Sequence, residues 1–254
     1  EKPSVLSAIM KEQTTERGRK VLNDGMDIHA GSAICKGENN LLAKFYQNVP
    51  VGITVEGSNT LTKNLIIFGQ GLNKSHPHIY PLLQAVQNDD LDDFTEKFRN
   101  IVKHSVGLYF ESLKSSFFSK NVLEKQTIYF ACLSNFVALK GGAIKKEQGL
   151  SADMASIMSN LYLAHCVEQY ERDHNVSHVL RDITIEKLTN ENNEIFRRVL
   201  HNIPMGFLMK FMNSNSKESY CSNLALIEEL TKNPIIMEHL LENVYVDKGL
   251  KKLL

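Results

Sequence analysis

The chain has no excess of either charge. Its 29 Lys and Arg residues balance 29 Asp and Glu, a formal net charge of +0, so the broad phosphate-neutralising surface of a nucleic-acid binder is missing and only a local basic patch stays open. The small clusters Lys145-Lys146 and Lys251-Lys252 read as solvated faces. Paired cysteines are missing as well. Cys35, Cys132, Cys166 and Cys221 are widely scattered and form no C-x-x-C or Cys/His ligand cluster, which argues against a disulfide framework or a metal site. Three of them fall inside apolar helical patterns, where a thiol behaves as a small core hydrophobe, and that suits a reducing compartment, the cytoplasm. No apolar run approaches the length of a membrane span and no signal pattern opens the chain, so a soluble piece is expected. Internal repeats of fixed period and low-complexity segments are absent. What remains, 254 residues with 43% hydrophobic and 23% charged content, is ordinary globular material with enough length for one large domain or two smaller ones. Glu1 stands first rather than Met, and Pro3 opens a helix already committed to a core. That beginning leads us to expect a cut chain whose functional groups lie partly before it.

Strand patterning is nearly absent, and almost everything reads as helix. Val5, Leu6, Ile9 and Met10, then Val21, Leu22 and Met26, give a broken apolar stripe over a helix ending near Gly25. A glycine-bearing loop follows from His29 to Asn40, then a short helix from Leu41 to Gln47. Leu61, Leu65, Ile66 and Phe68 mark another helix that Gly69-Gln70-Gly71 should stop, and a short one runs from about Ile79 to Val86. Asn88, Asp89 and Asp90 interrupt the pattern with N-cap chemistry, so the main boundary is placed there, dividing 1–88 from 89–254. Four longer helical patterns follow. The first holds Leu91 to Leu113; the second holds Ile128 to Leu139 and is ended by Gly141-Gly142; the third is capped by Ser151 with Asp153 in its first turn; the fourth runs from Val179 to Leu200 and is stopped by Pro204. Shorter helices around Phe207 to Phe211, Leu224 to Leu230 and Ile235 to Val244 complete the chain. Facing apolar stripes with short connections predict an all-α antiparallel bundle, with Met154, Met158 and the Phe207 to Met212 stripe as core filler.

Glu56 stands apart. Val49, Pro50, Val51, Gly52, Ile53, Thr54 and Val55 lead into it, and Gly57, Ser58 and Asn59 follow. A carboxylate in an apolar run is expected to be partly desolvated, which raises its pKa and suits it to take a proton near neutral pH, while the adjacent glycine lets a ligand approach the backbone. An exposed Glu at a turn between two buried stretches gives the same one-dimensional pattern. Other clusters read as structure. His76-Pro77-His78 is a helix-entry turn ahead of a metal pair, and the glycine pairs lack the preceding strand and the lysine-hydroxyl pair of a phosphate loop.

Several segments together resemble a known family. These are Lys2-Pro3-Ser4-Val5-Leu6-Ser7-Ala8-Ile9, Met26-Asp27-Ile28-His29-Ala30-Gly31, Ile53-Thr54-Val55-Glu56-Gly57-Ser58-Asn59-Thr60-Leu61-Thr62, Ile66-Ile67-Phe68-Gly69-Gln70-Gly71 and His76-Pro77. They resemble the C-terminal helical domain of acyl-CoA dehydrogenases, and nearest of all the large bacterial enzymes of fatty-acid degradation. Those enzymes add a further helical domain, which Leu139-Lys140-Gly141-Gly142 and Ser159-Asn160-Leu161-Tyr162-Leu163-Ala164 are similar to. The resemblance covers most of this chain but about the second half of such an enzyme.

The resemblance implies an FAD-dependent α,β-dehydrogenation of a medium- or long-chain fatty acyl-CoA to the trans-2-enoyl-CoA, within fatty-acid β-oxidation. Glu56, in Glu56-Gly57-Ser58, matches the base that takes the α-proton while a hydride leaves the β-carbon for the flavin. Val55 and Gly57 are implied as substrate contacts. The glutamate's own N–H and a flavin hydroxyl polarise the thioester carbonyl in that family. Ser58 stands where a threonine meets the cofactor, Thr60 where a glutamine often does, and Gly31 where a glycine loop approaches the FAD of a neighbouring subunit. Asp27 and Ala30 depart from that loop's amide and glycine. Electron-transfer flavoprotein or a similar acceptor, a homo-oligomer, and cytoplasmic placement with peripheral association to the inner membrane as an open alternative also follow from the resemblance. No metal and no nucleic acid are implied. Because the family's other two domains supply the rest of the flavin and acyl-CoA pocket, this chain by itself is expected to be inactive. A different class is also open: a non-enzymatic helical assembly or docking module in which Glu56 is structural.

Overall fold

The computed structural model describes residues 4–38, 40–214 and 220–241; Pro3, Asn39, Val244 and Lys251-Lys252 lie outside them. The described residues hold helices and no strand. Helix α1, Ser4–His29, is followed by the four-residue α2, Gly31–Ile34, and by α3, Ala43–Thr54. A short α4, Asn59–Leu61, leads without interruption into a π-helix, Thr62–Gln70, and α5, Gly71–Ser75. Next come α6, Ile79–Gln87, α7, Leu91–Phe118, and α8, Val122–Ala138. A 3-10 turn at Gly141–Lys145 precedes α9, Gln148–His174, and α10, His178–Asn202; a second 3-10 segment at Gly206–Met212, then α11, Tyr220–Lys232, and α12, Pro234–Leu241, follow. No described helix is long and apolar enough to cross a membrane.

Local chemistry sets the longest boundaries. Asp90 accepts from the Asp93 N–H at 3.0 Å to start α7, Asn121 accepts from Leu123 and Glu124 to start α8, and Ser177 accepts from Leu180 to start α10. Each side chain satisfies a donor that the helix cannot. Asn175 closes α9 in the left-handed conformation that asparagine tolerates.

Four sequence expectations fail, each for a local reason. Helix α1 does not end near Gly25; it continues to His29, and a Cβ on Gly25 would lie 3.4 Å from Leu42, so that glycine makes room for a neighbour. The helix expected to stop at Gln47 runs to Thr54 with Pro50 inside it, at the cost of one backbone hydrogen bond. Gly69-Gln70-Gly71 does not terminate a helix, because the chain passes from π- to α-helix there and Gly71 admits Val5 of α1 at 3.4 Å. Ser151 is not a cap, since α9 begins three residues earlier and Ser151 is buried within it.

The core centres on α8, α9 and α10. Leu123, Leu133, Val137, Met154, Ile157, Phe196 and Val199 are buried there, and Ile9 of α1 with Ile67 and Phe68 of the π-helix join the same cluster. The expected division at residue 88 falls in the turn between α6 and α7, and residues on both sides of it share this core. A layer of amides crosses the core. Gln126 donates to Thr189 O at 2.8 Å and Asn193 Oδ1 at 2.9 Å, Asn192 donates to Gln126 Oε1 at 3.1 Å, and Asn160 donates to Asn192 Oδ1 at 3.1 Å. Buried amides are stable only when paired, so this layer fixes the register of α8, α9 and α10 against one another.

Candidate functional site

Glu56 lies in the turn between α3 and α4, and it is exposed. The desolvation expected from its apolar run is therefore not met in this chain: Val51 and Val55 beside it are themselves about half exposed, at 53% and 48%. What is unusual is the backbone. Glu56 has φ +54 and Gly57 φ +82, two successive left-handed residues, and only the second is a glycine. A non-glycine residue held there is strained and needs support from its surroundings.

Helix α1 supplies that support. Lys11 Nζ donates to Gly57 O at 2.8 Å and to Asn59 Oδ1 at 2.7 Å, so one ammonium spans the turn. Asn59, 4% exposed, donates in turn to Thr15 Oγ1 at 2.9 Å and Glu16 Oε1 at 2.8 Å. Thr62 Oγ1 donates to Gly57 O at 3.4 Å, and Ser58 Oγ caps α4 by accepting from the Leu61 N–H at 3.3 Å. A Cβ on Gly52 would sit 3.4 Å from Thr15 Cγ2, which is how closely α3 approaches α1. The carboxylate is thus carried on a braced turn with its side chain directed away from the core.

Val55, Glu56, Gly57 and Ser58 are brought together by contiguity, and Thr60 is exposed on α4 beside them. Gly31 is not brought to them. It follows the far end of α1, and the helix between Lys11 and His29 rises about 27 Å at 1.5 Å per residue. Gly31 is exposed, with no atom within 4 Å of where a Cβ would be. The strained residue at that loop is Ala30, φ +48. Lys11, Thr15, Glu16 and Asn59 brace the turn, and the sequence singled out none of them for that part. Lys11 and Thr15 are four apart on one face of α1, a weak hint that becomes legible only once α3 is known to pack there.

For a flavin, Ser58 and Thr60 offer hydroxyls beside Glu56, and Gly31 offers an open backbone at a separate place. Three cavities, of about 890, 600 and 470 Å³, have none of Glu56, Ser58, Thr60 or Gly31 in their walls. Ser58 and Thr60 stand on an open surface at one end of α1 and Gly31 on another at its far end, so the three do not line one enclosure.

The histidine pair does structural work. His76 Nδ1 accepts from the His78 and Ile79 N–H groups at 3.2 Å, the helix-entry turn expected from sequence, and its Nε2 meets Asn135 Oδ1 at 2.7 Å. His104 of α7 completes a ring cluster, 5.6 Å from His76 and 5.1 Å from His78. Burial, then the neighbouring His78 and His76 imidazoles, hold His104 below the usual histidine range. Among the described residues no group of three or more His, Cys, Asp or Glu is arranged to hold a metal ion.

Residues 73–248 match the family model described as acyl-CoA dehydrogenase, C-terminal, bacterial type. No solved structure matches the chain. The matched span begins in α5, after the Glu56 turn.

Proposed function

Since the chain belongs to the family of bacterial-type acyl-CoA dehydrogenase C-terminal domains, we propose that it is the base-bearing helical part of an FAD-dependent acyl-CoA dehydrogenase, with Glu56 as the α-proton base. Residues 1–88 carry the base and residues 89–254 form the additional helical domain. The observation that carries this reading is the Glu56-Gly57 turn: an exposed carboxylate on strained backbone, braced by Lys11 and Asn59 and flanked by exposed Val51 and Val55.

Such a carboxylate can reach a ligand seated outside this chain's own core. Covering Val51 and Val55 with an acyl chain and a neighbouring protein surface would remove water from around Glu56 and set the carboxylate against the α-carbon. Lys11 acts as a positioning residue, since it fixes the backbone on which Glu56 sits. Ser58 and Thr60 would hold the cofactor from this side. The flavin, when bound, supplies the hydride acceptor. Gly31, at the other end of α1, would serve a second cofactor site, and that separation is what a flavin shared between subunits of a homo-oligomer requires. The acyl chain is medium or long, the pathway is fatty-acid β-oxidation in the cytoplasm, at the inner membrane if peripherally bound, and the electrons pass to an electron-transfer flavoprotein or a similar acceptor.

The docking-module alternative has one observation of its own. Phe98, Val102, Val106 and Phe110 form an exposed ridge on α7 at four-residue spacing. A single variant separates the readings. In the flavin-loaded enzyme, Glu56→Gln should lower turnover of a fatty acyl-CoA by about 10²- to 10⁴-fold with flavin content and helicity kept. Unchanged turnover would remove Glu56 as the base.

A further inference from the structure

The largest of the three cavities, about 890 Å³, lies between the π-helix, α6, α7, the end of α8 and the 3-10 turn Gly141–Lys145. It is within the size range of small-molecule sites. Leu65, Leu72, Ile79, Leu82, Ile101 and Ala138 give it an apolar wall. Leu83 and Leu139, 44% and 73% exposed, mark its open side. Of the polar side chains in the wall, His76 pairs with Asn135 at 2.7 Å and Asn64 with Gln148 at 3.4 Å, and Gln70, Asn73 and Ser151 are the other uncharged ones in a surface that is mostly apolar. No Asp or Glu lines it, and the one permanently charged wall residue is Lys145. The neighbouring Lys140 is already paired with Glu147 at 2.6 Å.

These walls select a chemistry. A sugar, nucleotide or peptide would lose water from more polar groups than Gln70, Asn73, Ser151 and Lys145 can pair. A cation would meet Lys145 with no acid to offset it. An unbranched hydrocarbon tail suits the leucine and isoleucine wall, and an anionic head suits Lys145. We infer that this cavity is a binding site for a free long-chain fatty acid, its tail between α6, α7 and the π-helix and its carboxylate at Lys145. The site is separate from Glu56 and does not depend on that residue's role. It does lie on the segment that leads out of the Glu56 turn, since the same π-helix that lines it carries Thr62, the partner of Gly57 O.

The chain contains no tryptophan, which makes the test direct. Leu83→Trp places a single indole on the open, solvent-facing side of the cavity, where the core is not disturbed. In the full chain, tetradecanoate brominated along its tail should quench that indole saturably at one equivalent. Without the substitution, titrations of decanoate, dodecanoate and tetradecanoate should show affinity rising about fourfold per methylene. Ala138→Phe, which fills the cavity from the end of α8, should weaken tetradecanoate at least tenfold with helicity unchanged. Lys145→Gln should remove the preference for tetradecanoate over its methyl ester. The CoA thioester of the same chain should bind more weakly than the free acid. The inference is overturned if brominated tetradecanoate fails to quench the indole, if affinity is insensitive to chain length, or if the thioester binds where the free acid does not. Should Ala138→Phe fail to fold, the quenching of the Leu83→Trp protein decides alone. None of these results bears on the Glu56→Gln experiment.

Discussion

Two parts of this molecule are held together by opposite means. Around α8, α9 and α10, apolar side chains and paired amides fill a closed interior, with Met154, Ile157, Phe196 and Asn192 all at 0% exposure. Around α1, α3 and α4 little is closed. The described α3 has no buried residue, and Val21, Ile28, Ile34, Phe45 and Val51 are exposed. There the geometry depends on Lys11, Asn59 and Thr15 bracing a strained turn. The first region stores stability, and the second holds a carboxylate outward in a fixed place. A substitution should therefore cost folding in one and function in the other.

The largest expected effect is Gly206→Ala, at the start of the 3-10 segment that follows α10. A Cβ there would fall 1.9 Å from Leu200 O, a backbone atom that cannot step aside. A loss of about 3 kcal/mol is expected from such overpacking, read as a lowered urea midpoint. Next is Asn192→Ala, which leaves the Gln126 and Asn160 amides short of partners inside the core. About 2 kcal/mol is expected in the same assay, and an effect under about 0.5 kcal/mol would mean that the amide layer is not needed for folding. Lys11→Met should reverse the pattern. Its stability cost should stay near 1 kcal/mol, while turnover of the flavin-loaded enzyme falls about tenfold as the Glu56 backbone relaxes. Equal losses from Asn192→Ala and Lys11→Met in both assays would erase the contrast. The smallest perturbation is chemical labelling. Burial pushes the Cys132 thiol up from its usual value, and alkylation needs the thiolate, so at pH 8 the exposed Cys35 should react quickly and Cys132 only as fast as the core opens.

The closed region was the more legible in sequence. Its long helices have apolar periodicity, and the N-cap chemistry read at Asp90 falls where α7 starts, although the sequence pattern does not single out Ser177, which starts α10, and Ser151 is no cap. Periodicity reports burial, and these helices are buried. Around Glu56 the same reasoning failed in an informative way. The run Val49 to Val55 reads as a wall around a carboxylate, yet in the fold it is the end of α3 and leaves Val51 and Val55 in solvent. An apolar residue that awaits a ligand or a neighbouring surface carries the same letter as one in a core. The brace was invisible for another reason: Lys11 and Asn59 are 48 residues apart, and nothing local in either segment encodes their meeting. Gly69 and Gly71 misled because a glycine that admits another helix looks, in one dimension, like one that ends its own.

The most direct test isolates the proton step. A 3-thia acyl-CoA has sulfur in place of the β-carbon, so no hydride can leave and only the α-proton can be exchanged. Incubated in D₂O with the flavin-loaded enzyme, this compound should gain deuterium at the α-carbon, and the Glu56→Gln protein should slow that gain by at least 10²-fold while still binding the compound. Deuterium uptake at the same rate in both proteins would contradict Glu56 as the base.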